Sequence, residues 1–375
     1  MLMRTFVALG LTVSMGSSLG PCSKKDEGGA DAAPAASASA VASAKPKELT
    51  FEEKVAASKP LEPKPVPQEG GGVKLTAERC QMDGPAWLDK STIDVMKSLR
   101  VIGDKLYVAD PVGGVHAYVI AAGPTCKLTV DKSFGTDGVL KLGEKAEHLG
   151  ADTAGHLFVS NGFGKSFRLT GGKTDWTCDA KPQGTLYVNP NGKIGIGTFA
   201  NANVGKLTLD DKGCKSEPFG FTDMNDAAKR KGPFSLAQAA GFVGDLILVG
   251  GSLAKDVSPD GGNVVVAVDA TGKEKFRFGK IDKAFTEDRF GWVHAIGPCK
   301  PGICVLDSNH RRITFWKTDG TYLGFVKLST MFDLNYPWLS DFSAGKNGAT
   351  YFTAGQERQR SGASEGNIYR VMGLN

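Results

Sequence analysis

Five histidines, seven cysteines and scattered carboxylates and hydroxyls are the residues of this 375-residue chain that could do chemistry. Imidazoles and carboxylates held within a few ångströms of one another bind metal ions, hold anions or move protons. No local motif gathers them here. His116, His148, His156, His294 and His310 do not pair at the spacing of a zinc-binding helix, and no two cysteine pairs share a matching spacing, so no metal centre is expected. Gly362-Ala363-Ser364-Glu365-Gly366 matches the nucleophile-elbow pattern. That chemistry needs a strand, a tight turn and a helix, whereas this serine falls in a Gly-rich stretch between expected strands. Gly164-Lys165-Ser166 lacks the first Gly of a phosphate loop and reads as a turn. No catalytic residue is assigned and no cofactor is implied.

Chemistry by position is the remaining route, and it depends on the elements that carry the residues. From Val73 onward the chain reads as short alternating strands punctuated by Gly, Asp, Asn and Pro, with helical periodicity confined to residues 223–231. The clearest unit runs from Gly302 to Gly324. It has an apolar strand, a polar turn at Asp307-Ser308-Asn309-His310-Arg311, a second strand to Trp316 and an Asp319-Gly320 hairpin. Weaker copies start at Lys105, His156, Lys193, Asp245 and Gly348, about fifty residues apart. Each has a strand before it, such as residues 97–102, 147–152, 293–298 or 339–344, which would be the innermost of its sheet. Six four-stranded units predict an all-β, six-bladed β-propeller over residues 73–375. The sixth unit stops after its third strand, while residues 73–80 form a lone strand. Letting this N-terminal strand complete the last blade closes the ring and removes two exposed edges.

That register gives the histidines a common place. Counting thirteen residues back from the turn position of each unit reaches Lys97, His148, Thr185, Gln238, His294 and Asp341. On the innermost strands these would form a polar ring around the channel, where propellers keep ligand sites. His148, His294, Asp341, Gln238 and Lys97 are therefore the candidate ligand-binding residues at the channel mouth, for an anion, a metal or a polar ligand. The competing reading is a set of polar strand ends wetted by water. His310 belongs to the repeat turn, and His116 and His156 read as surface or strand-edge residues. Trp292, Tyr336, Trp338 and the inserted loops 222–233 and 280–289 would join blades on one face, where partners bind rigid scaffolds.

The segment Asp307 to Ile313 with Asp319-Gly320 resembles the NHL repeat, a family of six-bladed propellers used mostly as binding platforms. Residues 264–274, Val-Val-Val-Ala-Val-Asp-Ala-Thr-Gly-Lys-Glu, resemble the repeats of pyrroloquinoline-quinone-type propellers, which include envelope-assembly lipoproteins. Eight such blades would need a period of about forty residues, tighter than the spacing seen. A lactonase-like hydrolase or lyase is a further alternative, but the acidic calcium-ligand set that resemblance requires is absent.

The N-terminus sets the compartment. Arg4, an apolar stretch from Phe6 to Leu19 and the run Leu19-Gly20-Pro21-Cys22 have the layout of a signal peptide over residues 1–21, too short to span a bilayer. The run resembles a bacterial lipoprotein signal, with Pro21 standing where that family carries a small residue. The resemblance implies lipidation of Cys22 and membrane attachment. Residues 23–72 are rich in Ala, Pro, Ser, Lys and Glu and predict a disordered tether. An exported chain fits its cysteines. Beyond Cys22 six remain, and Cys299 and Cys304 flank a Pro-Gly turn that predicts a disulfide. Cys80, Cys126, Cys178 and Cys214 allow three pairings. Bridges between neighbouring blades, Cys80 with Cys126 and Cys178 with Cys214, are expected, with the last three cysteines just before the outer strands.

Net charge is +5, and the tether carries seven Lys against eight acidic residues, so the mild excess lies on the folded part. Spread over a large surface, it gives no basic stripe, and nucleic-acid partners are not expected. The reading that results is an exported, lipid-anchored propeller in the cell envelope, serving as a binding or scaffold module for a protein or a small polar ligand.

Overall fold

The structure is a computed structural model. It describes residues 64–66, 69–70, 72–83, 98–110, 114–162, 164–179, 185–198, 204–217, 219–220, 228, 231–280, 286–332, 337–357 and 364–375. All of them belong to the unit Thr50–Asn375. The signal peptide, Cys22, most of the tether, Lys97, Tyr336 and most of the segments 222–233 and 281–285 lie outside the described residues.

Short apolar runs bounded by Gly and Asp turns cannot extend into helices, and each pairs with the next through a hairpin. Blade one holds Ser98–Ile102, Lys105–Asp110, Gly114–Ile120 and Lys127–Val130. Blade two holds His148–Ala151, Leu157–Ser160, Ser166–Thr170 and Lys173–Cys178, and blade three holds Thr185–Val188, Ile194–Thr198, Val204–Leu209 and Cys214–Glu217. Blade four holds Phe234–Val243, Leu246–Leu253, Asn263–Val268 and Glu274–Phe278; blade five holds Val293–Cys299, Gly302–Asp307, Arg312–Trp316 and Tyr322–Lys327. Blade six holds Pro337–Ala344, Ala349–Glu357 and Ser364–Met372. Its fourth strand is Leu75–Arg79, antiparallel to Ser364–Met372, with Arg79 opposite Tyr369 and Thr76 opposite Met372. The expected six-bladed β-propeller with its N-terminal clasp is thus the observed architecture, and successive innermost strands touch all the way round.

The N-terminal segment does more than clasp blade six. Lys64–Val66 pairs on the outside of the clasp strand, Glu69–Gly70 on the outer strand of blade five, and Gln81–Asp83 runs parallel to the outer strand of blade one. Residues expected as the end of the tether therefore cover the edges of blades five and six, and residues just past the clasp strand cover that of blade one. Two further differences are local. Leu328–Phe332 is a short helix, α1, whose Leu328, Met331 and Phe332 pack into the layer between blades five and six. Cys178 ends an outer strand rather than preceding one.

There is no single central core. Apolar side chains form layers between successive blades: Leu149, Leu157 and Val115 between one and two, Phe158, Trp176 and Leu186 between two and three, Leu306, Phe315 and Phe352 between five and six. Each sheet face is an interior surface, which explains the nearly continuous apolar second strands. Where the innermost strands converge, side chains must be small. A Cβ on Gly241 would lie 2.3 Å from the Ile296 carbonyl oxygen of the next blade, so only glycine lets those two strands meet.

All six cysteines of the folded part are paired. Cys80–Cys126 joins the clasp strand to blade one, Cys178–Cys214 joins blades two and three, and Cys299–Cys304 spans a hairpin of blade five, with Cα separations of 4.6, 5.9 and 5.7 Å. These are the pairs expected from the sequence.

Candidate functional site

The innermost strands bring polar residues of several blades to the ring axis, but not in the register expected. Strands of blades four, five and six each carry a β-bulge, which inserts a residue and re-aims its side chain. Gln238 is the extra residue between the pairs Ala237–Gly251 and Ala239–Gly250, and His294 the extra residue between Val293–Asp307 and Ala295–Leu306. In blade six the extra residue is Ser340, so Asp341, opposite Thr353, lies one residue past the position equivalent to Gln238 and His294. His148 pairs with Ser160 and Thr185 with Thr198. The thirteen-residue count assumed unbulged strands of one length, and the bulges break that equivalence.

At the seam between blades six and one, Asp341 is buried at 3% exposure and accepts hydrogen bonds from the Ser98 hydroxyl, the Leu99 amide (3.4 Å), the Phe342 amide (2.8 Å) and Arg100 Nη1 (2.6 Å). The Ser98 hydroxyl also accepts the Leu149 amide of blade two at 3.1 Å. Nη1 of Arg100 further donates to the Leu99 carbonyl, while Nε and Nη2 bond no described residue and reach solvent, the side chain being 15% exposed.

The next seams repeat the principle with other chemistry. His148 Nδ1 lies 2.9 Å from the Leu186 carbonyl of blade three, which requires a proton on that nitrogen and makes Nε2 an acceptor. Its ring packs against Tyr187 at a tilt of 58°, with centroids 4.5 Å apart. Burial, reinforced by the Arg100 charge, pushes the His148 pKa down to about 4, so the ring is neutral near pH 7. Burial, and next the Asp341 charge, pushes Tyr187 up to about 12, and its hydroxyl reaches Thr185 and the backbone of Ala240 in blade four. Gln238 donates to Ser252 (2.9 Å) and Asn263 (2.8 Å) and accepts the Val293 amide of blade five at 2.9 Å. His148 feels Arg100, Asp341 and His294, and Tyr187 feels Asp341 and Arg100. Charged and titratable groups of blades one, two, three, five and six therefore share one layer around the axis.

The sequence brought forward His148, His294, Gln238 and Asp341 and missed Ser98, Arg100 and Tyr187. Most of the first set bind blade to blade: unsatisfied backbone amides and carbonyls on the inner edges would be costly, and side chains of the preceding blade satisfy them. Among the described residues no three His, Cys, Asp or Glu side chains gather as metal ligands do. Ser364 lies in an antiparallel strand pair opposite Glu357, without the strand-turn-helix its motif needs.

Of the histidines expected as surface or strand-edge residues, His156 does stand at the start of a strand, whereas His116 lies inside one. His116 is buried and sits 3.2 Å from Asp110, and His156 is half-buried with Nδ1 at 2.7 Å from Asp152. In the repeat turn of blade five, Asp307 is fully buried and accepts from the Gly291 and Trp292 amides, from His310 Nδ1 at 2.7 Å and from Arg312 Nε at 3.2 Å. Burial opposes its charge, yet His310 and these donors hold its carboxyl below the usual range. The cluster fixes the backbone that leads into the innermost strand and leaves the Trp292 side chain 36% exposed.

No protein-family model matches the chain, and no curated protein matches it. Solved structures similar to it include the β-propeller domain of Cps50 (Swd1) from Myceliophteria thermophila, at 10% identity over 75% of this chain and 97% of that one, with a TM-score of 0.44. The WD40 β-propeller domain of Doa1 is similar at 11% identity over 75% and 94%, TM-score 0.43. A nidogen/laminin complex is similar at 9% identity over 74% and 96%, TM-score 0.44.

Proposed function

We propose that this chain is an exported, lipid-anchored binding or scaffold module of the cell envelope, with an NHL-type turn in blade five. One observation carries the scaffold reading: polar residues of the innermost strands bond the next blade. Ser98 holds Leu149, His148 holds Leu186, Gln238 holds Val293 and Asp341 holds Leu99, an arrangement that stiffens a ring. A rigid ring with loops on its faces is a platform, and fold alone does not make it an enzyme. The guanidinium of Arg100 in the axial layer opposes a metal cation, which weighs against the lactonase-like alternative. The buried Asp307, bonded to His310 within the turn, supports the NHL-type reading. Export is supported by the paired cysteines, and anchoring by the lipoprotein-like run ending at Cys22.

The test expresses the full chain in a bacterial host, fractionates the cells and cross-links intact cells before lysis. The expected result is a membrane-bound protein whose mature N-terminal peptide carries diacylglycerol on Cys22, cross-linked to a protein neighbour. Release of the Cys22→Ser variant into the soluble fraction would agree. An unlipidated wild-type chain in the soluble fraction would refute the anchor, and an anchored chain with no neighbour would refute the scaffold.

A further inference from the structure

We infer that Asn347 is a site of self-modification, at which the main-chain nitrogen of Gly348 attacks the Asn347 side chain and converts it to isoaspartate. The inference rests on one hairpin and stands whether or not the chain is anchored or serves as a scaffold. Three asparagines of the chain precede glycine, at Asn161-Gly162, Asn191-Gly192 and Asn347-Gly348. Glycine has no side chain to shield its nitrogen and turns freely, so each pair has the composition for ring closure. The fold separates them. Asn161 is 8% exposed; its side chain donates to Glu144 and accepts the Lys165 amide at 3.0 Å, and the Gly162 amide donates to the Ser160 hydroxyl at 3.2 Å. The Asn191 side chain accepts the Lys193 amide at 3.0 Å, and the Gly192 amide donates to the Asn189 carbonyl at 2.9 Å. In both pairs, attacking nitrogen and target side chain are each held by a hydrogen bond.

Asn347-Gly348 lacks those restraints. It forms the tip of the hairpin between the first two strands of blade six, where Asn347 is exposed and both residues are left-handed, at φ of 57° and 76°. Among the described residues, neither the Gly348 amide nor the Asn347 side chain has a hydrogen-bond partner. Across the tip the Ala349 amide donates to the Lys346 carbonyl at 3.1 Å, and below it the Gly345 amide donates to the Ala349 carbonyl at 2.8 Å. Breaking the longer bond lets Asn347 leave the left-handed region, which is costly for any residue with a side chain, and bring its amide carbon to the Gly348 nitrogen. The nitrogen–carbon bond forms, ammonia leaves with the proton of the Gly348 amide, and a cyclic succinimide remains. Water then opens the ring. Cleavage at the main-chain carbonyl gives isoaspartate, and cleavage at the side-chain carbonyl gives aspartate. Isoaspartate adds a carbon to the main chain within the turn that sets Ala344 opposite Thr350, and it places a carboxylate beside Lys346.

The full-length protein is kept in mildly alkaline buffer made with oxygen-18 water, either folded or in urea. The peptides holding the three asparagines are then followed by mass spectrometry, with fragmentation that separates isoaspartate from aspartate. In the folded protein Asn347 should convert at least about tenfold faster than Asn161 and Asn191, because reaction follows the population of the opened form. In urea the three rates should fall within about threefold of one another, since only the fold distinguishes the sites. The converted Asn347 peptide should carry oxygen-18 and more isoaspartate than aspartate. A smaller lead of Asn347 in the folded chain, or an equal lead in urea, would overturn the assignment to this hairpin. Aspartate without isoaspartate would overturn attack by the Gly348 nitrogen. The wild-type protein alone decides the matter, so no variant has to fold.

Discussion

Changing Asp341 to Asn tests whether the axial layer holds the ring shut. The substitution keeps size and shape but leaves the Arg100 guanidinium without its counter-charge, at 15% and 4% side-chain exposure for the two partners. Removing one member of a buried ion pair costs about 3–5 kcal/mol. Arg100 keeps some contact with water, so the expected loss is near the lower end, about 3 kcal/mol. Arg100→Met leaves Asp341 with the Ser98, Leu99 and Phe342 donors and should cost about 2 kcal/mol. Because the damage in each single variant is the charge stranded by the other, the double variant should cost less than the sum, by about 2 kcal/mol. Urea unfolding of the four proteins, with unchanged dependence on denaturant, measures the cycle. The same cycle on Arg277 and Glu274, an exposed pair 2.7 Å apart, should give at most about 0.5 kcal/mol. A coupling at the axis no larger than that of the exposed pair would refute the reasoning.

The cross-links grade with the loop each one closes. At sequence separations of 46, 36 and 5, paired serine substitutions should cost about 4 kcal/mol for Cys80–Cys126, slightly less for Cys178–Cys214, and about 2 kcal/mol for Cys299–Cys304, an order that calorimetry of the three variants would check. His148 titrates at about 4 in the fold against about 6.5 in the unfolded chain. The unfolded state then binds the extra proton between those values, so stability falls by up to about 3 kcal/mol as pH drops from 6.5 to 4 and this contribution levels off below. Denaturation of His148→Gln across that range should show a correspondingly flatter profile. Asp307 has the usual carboxylate sign: its contribution is present above the unfolded carboxyl value and is lost as pH falls through its depressed folded one, a dependence absent from Asp307→Asn. Gly241→Ala drives a Cβ to 2.3 Å from the Ile296 oxygen and should lower stability by about 3 kcal/mol or prevent folding, read from soluble yield and melting temperature.

The sheets were legible because the second strands of most blades are buried on both faces and read as apolar runs, as in Ile247-Leu248-Val249 and Ile303-Cys304-Val305-Leu306. The clasp was legible by subtraction, from a strand without a unit and a unit without a strand. Lys64–Val66 and Glu69–Gly70 were not, because they join the sheets through backbone bonds that any sequence can make, and their composition continues that of the tether. His116 passed for an edge residue because its partner Asp110 ends the preceding strand, and only the hairpin register brings the two within 3.2 Å.

The axial layer failed to read for a different reason, and Arg100 shows it. Between Leu99 and Val101 it looks like the solvated member of an alternating strand. In a propeller the innermost strand has no solvated face: its two faces meet neighbouring blades and its edge meets the axis. An arginine there is expensive unless it is held, and what holds it, Asp341, is 241 residues away on the blade that closes the ring. The same residue pair therefore answers two questions at once. It neutralises a largely buried guanidinium, and it fastens the last blade to the first.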